Sequence, residues 1–166
     1  DTGKPLELKD VKGNGKYAWK DLMTGKKDRI NFSPSTSDEP NWVEVKFTSP
    51  NTVRSIEIPS IQTLNHAMSF EPNIHLKAYA LKADGSKHII VNADFPQNSW
   101  QDNHPITFAC PEVEDAVGCR LEFCNRYDMN MGLIKLWSAA HKNSWQSEAA
   151  WDLRSFERTA DDVIQN

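Results

Sequence analysis

Long apolar runs are missing from this chain. No stretch approaches the roughly 20 residues that a membrane-spanning helix requires, so no membrane partner is expected. Blocks of one charge are missing too. The net charge is −4, from 19 basic and 23 acidic residues, and without a segregated basic patch no nucleic-acid partner is expected. Cysteine is scarce and odd in number, with 3 in the chain, which argues against a disulfide framework. Cys119 and Cys124 are five apart on one expected strand, so they point to opposite faces and do not pair there. Cys110 is left able to pair with either, and buried free thiols are the simpler expectation. No CxxC or HExxH spacing exists, which removes zinc. Nucleophile elbow, P-loop and dinucleotide-binding glycine patterns are all absent, as is any repeat of about 20–50 residues. No signal peptide is visible. The chain opens at Asp1 without an initiator Met, and a processed chain or an excised fragment is expected.

What is present is ordinary in bulk. At 166 residues, 39% hydrophobic and 25% charged, the chain fits a single globular domain with a real core. The stretch from Asn41 to Ser60 organises it. Val43, Val45 and Phe47 alternate with Glu44 and Lys46, the period-two pattern of a half-buried strand. Ile56 and Ile58 alternate with Ser55 and Glu57. Between them Pro50 fixes φ and Asn51 tolerates left-handed geometry, so two antiparallel neighbours are expected.

The remaining chain reads as strands separated by loops. A short strand is expected around Leu6–Leu8, then an aromatic segment from Tyr17 to Leu22, then a long loop over 23–41. A second long loop covers 59–73. Ile74–Leu81 is a strand, Asp84-Gly85 a hairpin turn, and Lys87–Val91 the returning strand. A third long loop covers 92–104. Further strands run over Ile106–Ala109, Val117–Phe123 and Leu133–Trp137, with Val117, Cys119, Leu121 and Phe123 on one face. A loop over 125–131 separates the last two. From Ser144 onward, Trp145, Ala149, Leu153, Phe156, Val163 and Ile164 recur at helical spacing. That predicts a C-terminal amphipathic helix, folding back on the body or connecting to a further domain. The expected fold is therefore an all-β antiparallel β-sandwich over 1–140, with a helical segment over 141–166.

If each turn reverses the chain, the tight links at 49–52, 82–86 and 111–116 share one end. The four long loops share the other, as a rigid sandwich presents a recognition surface. Those loops are rich in groups that suit sugar. Trp100 and Tyr127 offer rings for apolar C–H faces. Arg126, His66, Asn125 and Asn103 offer hydrogen bonds to hydroxyls. These six are the candidate ligand-binding residues.

The order of Asp21 and Gly25 in a loop, Asn41-Trp42-Val43-Glu44-Val45-Lys46-Phe47, Pro50 to Ile56, the Asp84-Gly85 hairpin and Cys119-Arg120-Leu121-Glu122-Phe123 resembles the discoidin-like (coagulation-factor C-type), galactose-binding-like β-sandwich. The resemblance covers roughly residues 15–140. The exit through Ile134-Lys135-Leu136 to Asn143–Ala149 looks like that of such modules in large bacterial glycoside hydrolases of the α-L-rhamnosidase type. The resemblance implies a jelly-roll fold and a non-catalytic domain of a secreted or periplasmic enzyme. Such a domain binds carbohydrate or props up an adjacent catalytic domain. Many relatives hold a structural calcium; here Asp21 and Gly25 match its loop, but Lys135 stands where an acid is expected, and a cation opposes a hard dication. We expect no cofactor, with calcium at Asp21 and Gly25 as the alternative.

Plainer readings stand beside these. Trp42 and Trp19 are expected to be packing residues, and His66 and His104 hydrogen-bonded loop residues. Asp102, Asp128 and Glu71 carry the carboxylates that a glycosidase would need, but no spacing selects two of them, so catalysis is not expected of this segment. The alternative function is a structural module that docks a neighbouring catalytic domain and has no ligand.

Overall fold

A computed structural model describes residues 4–58, 61–63, 74–95 and 105–139. Among these residues, eleven strands and one short helix follow in order. They are β1 (Leu8–Gly13), α1 (Trp19–Met23), β2 (Arg29–Phe32), β3 (Asn41–Asn51), β4 (Ser55–Ile58) and β5 (Ile61–Thr63). Then come β6 (Ile74–Lys82), β7 (Lys87–Asp94), β8 (Ile106–Ala109), β9 (Ala116–Asn125), β10 (Met129–Gly132) and β11 (Lys135–Trp137). They form a five-stranded sheet in the order β1-β3-β9-β6-β7 and two three-stranded sheets, β2-β10-β5 and β11-β4-β8. All the pairings are antiparallel. The all-β sandwich expectation holds. The proposed helix over 141–166, and with it the boundary at 140, lies outside the described residues.

One hydrophobic cluster joins the three sheets. It takes Val43, Val45 and Phe47 from β3, Leu76, Ala78 and Ala80 from β6, and Cys119, Leu121 and Phe123 from β9. Facing them are Ile56 and Ile58 of β4, Ile106 and Phe108 of β8, and Leu136 of β11. The alternation read in the sequence is thus the side-chain alternation of strands covered on one face.

The partnership expected of the two organising strands is corrected. β3 and β4 are not neighbours; they lie in different sheets. The link between them is an arch. Asn51 caps the turn by accepting the Thr52 N–H at 2.9 Å through its side chain, and Val53 drops into the core. By Arg54 the chain already pairs elsewhere: the Arg54 N–H donates to the Trp137 carbonyl at 2.8 Å, and the Arg54 carbonyl accepts the Cys110 N–H at 2.9 Å. The tight turn carries the chain across the core instead of back along its own sheet.

Four other expectations move. The strand placed at Leu6–Leu8 begins at Leu8 and runs on to Gly13. The seventh expected strand shortens to Lys135–Trp137. Val117 leaves the buried face because a bulge sits at the base of β9, where Leu81 faces Gly118 and the next partner of β6 is Ala116. Three stretches assigned to loops contain β2, β5 and β10, and these pair with one another as the third sheet.

Candidate functional site

In the five-stranded sheet the tight links at 49–52, 82–86 and 111–116 fall at one end, as expected, while the long loops over 59–73 and 92–104 lie largely outside the described residues. β3 and β6 run away from the pole that β7 and β9 run towards. That pole receives the chain between β2 and β3 and between β9 and β10, and Ile74 and Phe95 lie at it. The β2-β10-β5 sheet meets it through Ser33, which follows β2, and Tyr127, which precedes β10.

A buried polar network fixes the base of the pole. Asn125 ends β9 and is fully buried. Its Oδ1 accepts the Ser35 hydroxyl at 2.7 Å and the Asn41 amide at 2.9 Å. Its Nδ2 donates to the Ser33 and Tyr127 carbonyls, each at 3.0 Å. Asn41, at the start of β3, is also buried and donates to the Ser33 carbonyl at 3.0 Å. Asn14 extends the chain of amides, its Oδ1 accepting the Trp42 N–H and its Nδ2 reaching the Pro40 carbonyl and Asn41 Oδ1. Tyr17 ties in from below, its phenol oxygen accepting the Ser33 N–H at 2.9 Å. Burial acts to raise that phenol's pKa, but the hydrogen bonds of Ser33 and the nearby Lys16 leave it lowered overall. Buried amides with this many partners hold a loop in one conformation, because releasing any one strands a desolvated polar group.

Arg126 and Tyr127 stand on that base. The Arg126 guanidinium lies 5.4 Å from the Tyr127 ring centroid, within cation–π range. Arg126 is exposed and Tyr127 half-buried. These two candidates are brought together. Asn125 is a correction: its amide is spent on the network, so it shapes the loop and does not meet a ligand. Trp100, His66 and Asn103 lie outside the described residues, as do Asp102 and Glu71.

Beside the pole, β2 and β10 present a polar face that the sequence reading missed. Asn130 Nδ2 donates to Asn31 Oδ1 at 2.8 Å. Arg29 grips Asn130 through its Nε on the side-chain oxygen and its Nη2 on the carbonyl at 2.8 Å, and burial lowers its pKa. Polar residues in an apparent loop carry no periodic signal, so nothing marked these as a strand face.

Both tryptophans assigned to packing do pack. Trp19 is buried against Phe32, with ring centroids 4.6 Å apart. Trp42 lies on the outward side of β3 beneath Arg120, whose guanidinium carbon is 4.3 Å from the ring centroid. Cys110, Cys119 and Cys124 are free thiols; burial pushes Cys110 up to about 12 and Cys119 higher still, so neither is a nucleophile near neutral pH.

The surroundings of Asp21 do not suit calcium. Asp21 lies in α1 and its carbonyl is already occupied by the Lys27 N–H at 3.0 Å. Lys20, Lys26 and Lys27 crowd the same segment. Gly25, at φ 82°, serves the turn after the helix. No group of three or more His, Cys, Asp or Glu converges among the described residues. Nor, among those residues, is any helix long and apolar enough to cross a membrane.

No family model matches the chain, and no curated protein does. Solved structures do. A pectin-binding carbohydrate-binding module superposes with a TM-score of 0.56 at 13% identity, covering 83% of this chain and 96% of that one. An F5/8 type C domain from Bacteroides fragilis gives 0.55 at 11%, covering 82% and 99%. A truncated enzyme with CBM32 and alginate lyase domains gives 0.56 at 10%, covering 83% of this chain and 34% of that one. At such identities the likeness is one of fold: this chain shares the antiparallel β-sandwich of these modules.

Proposed function

We propose that this chain is a carbohydrate-binding accessory module that meets its ligand at the pole carrying Arg126 and Tyr127. The observation that carries the reading is the pairing of an aromatic ring and a guanidinium on a loop locked from beneath by Asn125. A ring covers the apolar face of a sugar, a fixed guanidinium fork serves its hydroxyls or a carboxylate, and a loop already ordered loses little entropy when a ligand arrives. Fold neighbours that bind pectin, or that share a chain with an alginate lyase domain, support this direction. In the same reading Trp100, His66 and Asn103 complete the surface. The parent chain is a secreted or periplasmic glycoside hydrolase, with the rhamnosidase type as the specific proposal, and the module itself is not catalytic.

Calorimetric titration with galactose-, rhamnose- and uronic-acid-containing oligosaccharides tests this. Tyr127→Ala is expected to weaken binding about tenfold, the equivalent of roughly 1.4 kcal/mol, with thermal stability little changed. Trp100→Ala should act in the same direction. An intact chain that binds none of these sugars would leave the alternative, a structural module serving an adjacent catalytic domain.

A further inference from the structure

At the pole end of the β6–β7 pair, one imidazole makes two short contacts. His75 Nδ1 lies 2.7 Å from Asp94 Oδ1, and His75 Nε2 lies 2.6 Å from Asn92 Oδ1. Both partners come from β7, and both present oxygen. A neutral imidazole has one N–H and one lone pair, so it satisfies only one of the two acceptors. The imidazolium has two N–H groups and satisfies both. We propose that His75 is a proton-dependent staple that fastens the pole ends of β6 and β7 when the ring is charged and loosens one of its two bonds when it is neutral.

The surroundings favour the charged ring. On β7, Asp94 supplies the carboxylate and Asn92 the amide oxygen. On β9, Cys124 lies directly across from His75, with Glu122 one diagonal step away beside Lys77. Burial raises the Cys124 thiol, so it stays neutral. Lys77, two residues along β6, opposes the charge. Burial of the ring works to lower the His75 pKa, but the bonds to Asp94 and Asn92 and the Asp94 charge outweigh it, and the pKa is raised above 6.5 overall.

The position gives the staple its consequence. Ile74 and Phe95 sit immediately beside it, and the Phe95 N–H donates to the Ile74 carbonyl at 2.9 Å. Phe95 is buried and packs on Phe108 and Phe123, with centroids 5.2 Å and 6.4 Å apart. Proton loss at His75 therefore weakens the outer anchor of a junction whose inner anchor is the core.

The sign follows from linkage. A folded-state pKa above the unfolded value adds stability that is complete below about pH 6.5 and fades as pH rises through the folded value. The test is a proton titration of the intact chain followed by NMR of the His75 ring, with thermal melts of wild type and His75→Gln at about pH 5.5 and 8. We expect the His75 pKa to exceed 6.5 and to fall in Asp94→Asn. We also expect the wild type to lose more of its Tm between the two pH values than His75→Gln does. A His75 pKa at or below 6.5, or identical pH dependence of melting in wild type and His75→Gln, would overturn the staple. None of these readouts requires a sugar, so the outcome is independent of the proposed binding function.

Discussion

Asn125 shows what a single buried amide does at this pole. Four side-chain hydrogen bonds converge on it, from two residues before β3, from β3 itself and from its own loop. Replacing it with alanine leaves the Ser35 hydroxyl, the buried Asn41 amide and two part-buried carbonyls without that partner, although Ser35 keeps the Phe123 carbonyl and Asn41 keeps the Ser33 carbonyl. Such groups cost about 1–3 kcal/mol each when left unmade, partly relieved by relaxation and entering water. Asn125→Ala is therefore expected to lose about 3 kcal/mol of stability, read from the shift in urea midpoint. It should also weaken any ligand held by Tyr127, whereas Tyr127→Ala should affect binding and spare stability. An Asn125→Ala protein as stable as wild type would mean that the network is not what orders the pole. Gly118 is under a different constraint. It is buried in β9, and a Cβ there would collide with the Val45 carbonyl oxygen, so the β3–β9 crossing depends on a residue without a side chain.

Elements differ in what fixes them. The five-stranded sheet is built from strands of up to 11 residues with alternating burial, while β2, β5 and β10 have only 4, 3 and 4 residues. Short strands bury little, so specific side-chain bonds matter more to them. Removing the Arg29 grip with Arg29→Ala is expected to loosen β2 from β10 locally. Amide exchange at Ile30 and Met131 should accelerate at least several-fold while that of Leu121 stays slow, as in sub-global opening. Uniform acceleration across all three would instead place the small sheet within the global unfolding unit. The same contrast explains what could be read from the sequence. Val43-Glu44-Val45-Lys46-Phe47 and Ile74 to Leu81 declare their strands, because period two shows wherever one face is buried over several residues. Met129 to Gly132 does not, because four residues between Asp128 and Leu133 show no period and their partners lie about 100 positions away (Met131 against Ile30). A turn between the two strands was legible, although β3 runs through Pro50 and the chain leaves it only after Asn51; whether it returns along the same sheet or arches to the other depends on partners at Trp137 and Cys110 that local sequence does not encode. At the site, Arg126 and Tyr127 were legible as chemistry, while Asn125 looked like another loop amide because burial is not written in a residue's type.

For the whole molecule, β9 is the piece on which the rest waits. It lies at the centre of the large sheet between β3 and β6, and Val43 faces Leu121, 78 positions later (121 − 43). Until β9 is present, β3 has only β1 beside it, and β6 has only its hairpin partner β7. Closing such long loops costs entropy before the contacts repay it, and sheets dominated by distant pairing fold in milliseconds to seconds. We expect this chain to fold on that scale, with β9 docking between its two neighbours as the limiting step. Leu121→Ala, at a fully buried position, should cost about 2–5 kcal/mol and express much of it as slower folding. Met131→Ala, buried in the small sheet, should express its cost mainly as faster unfolding, because that sheet joins three segments that the large sheet must first bring together. Stopped-flow chevrons of the two variants separate these effects. A folding arm unmoved by Leu121→Ala but slowed by Met131→Ala would reverse the order and make the pole sheet the nucleus.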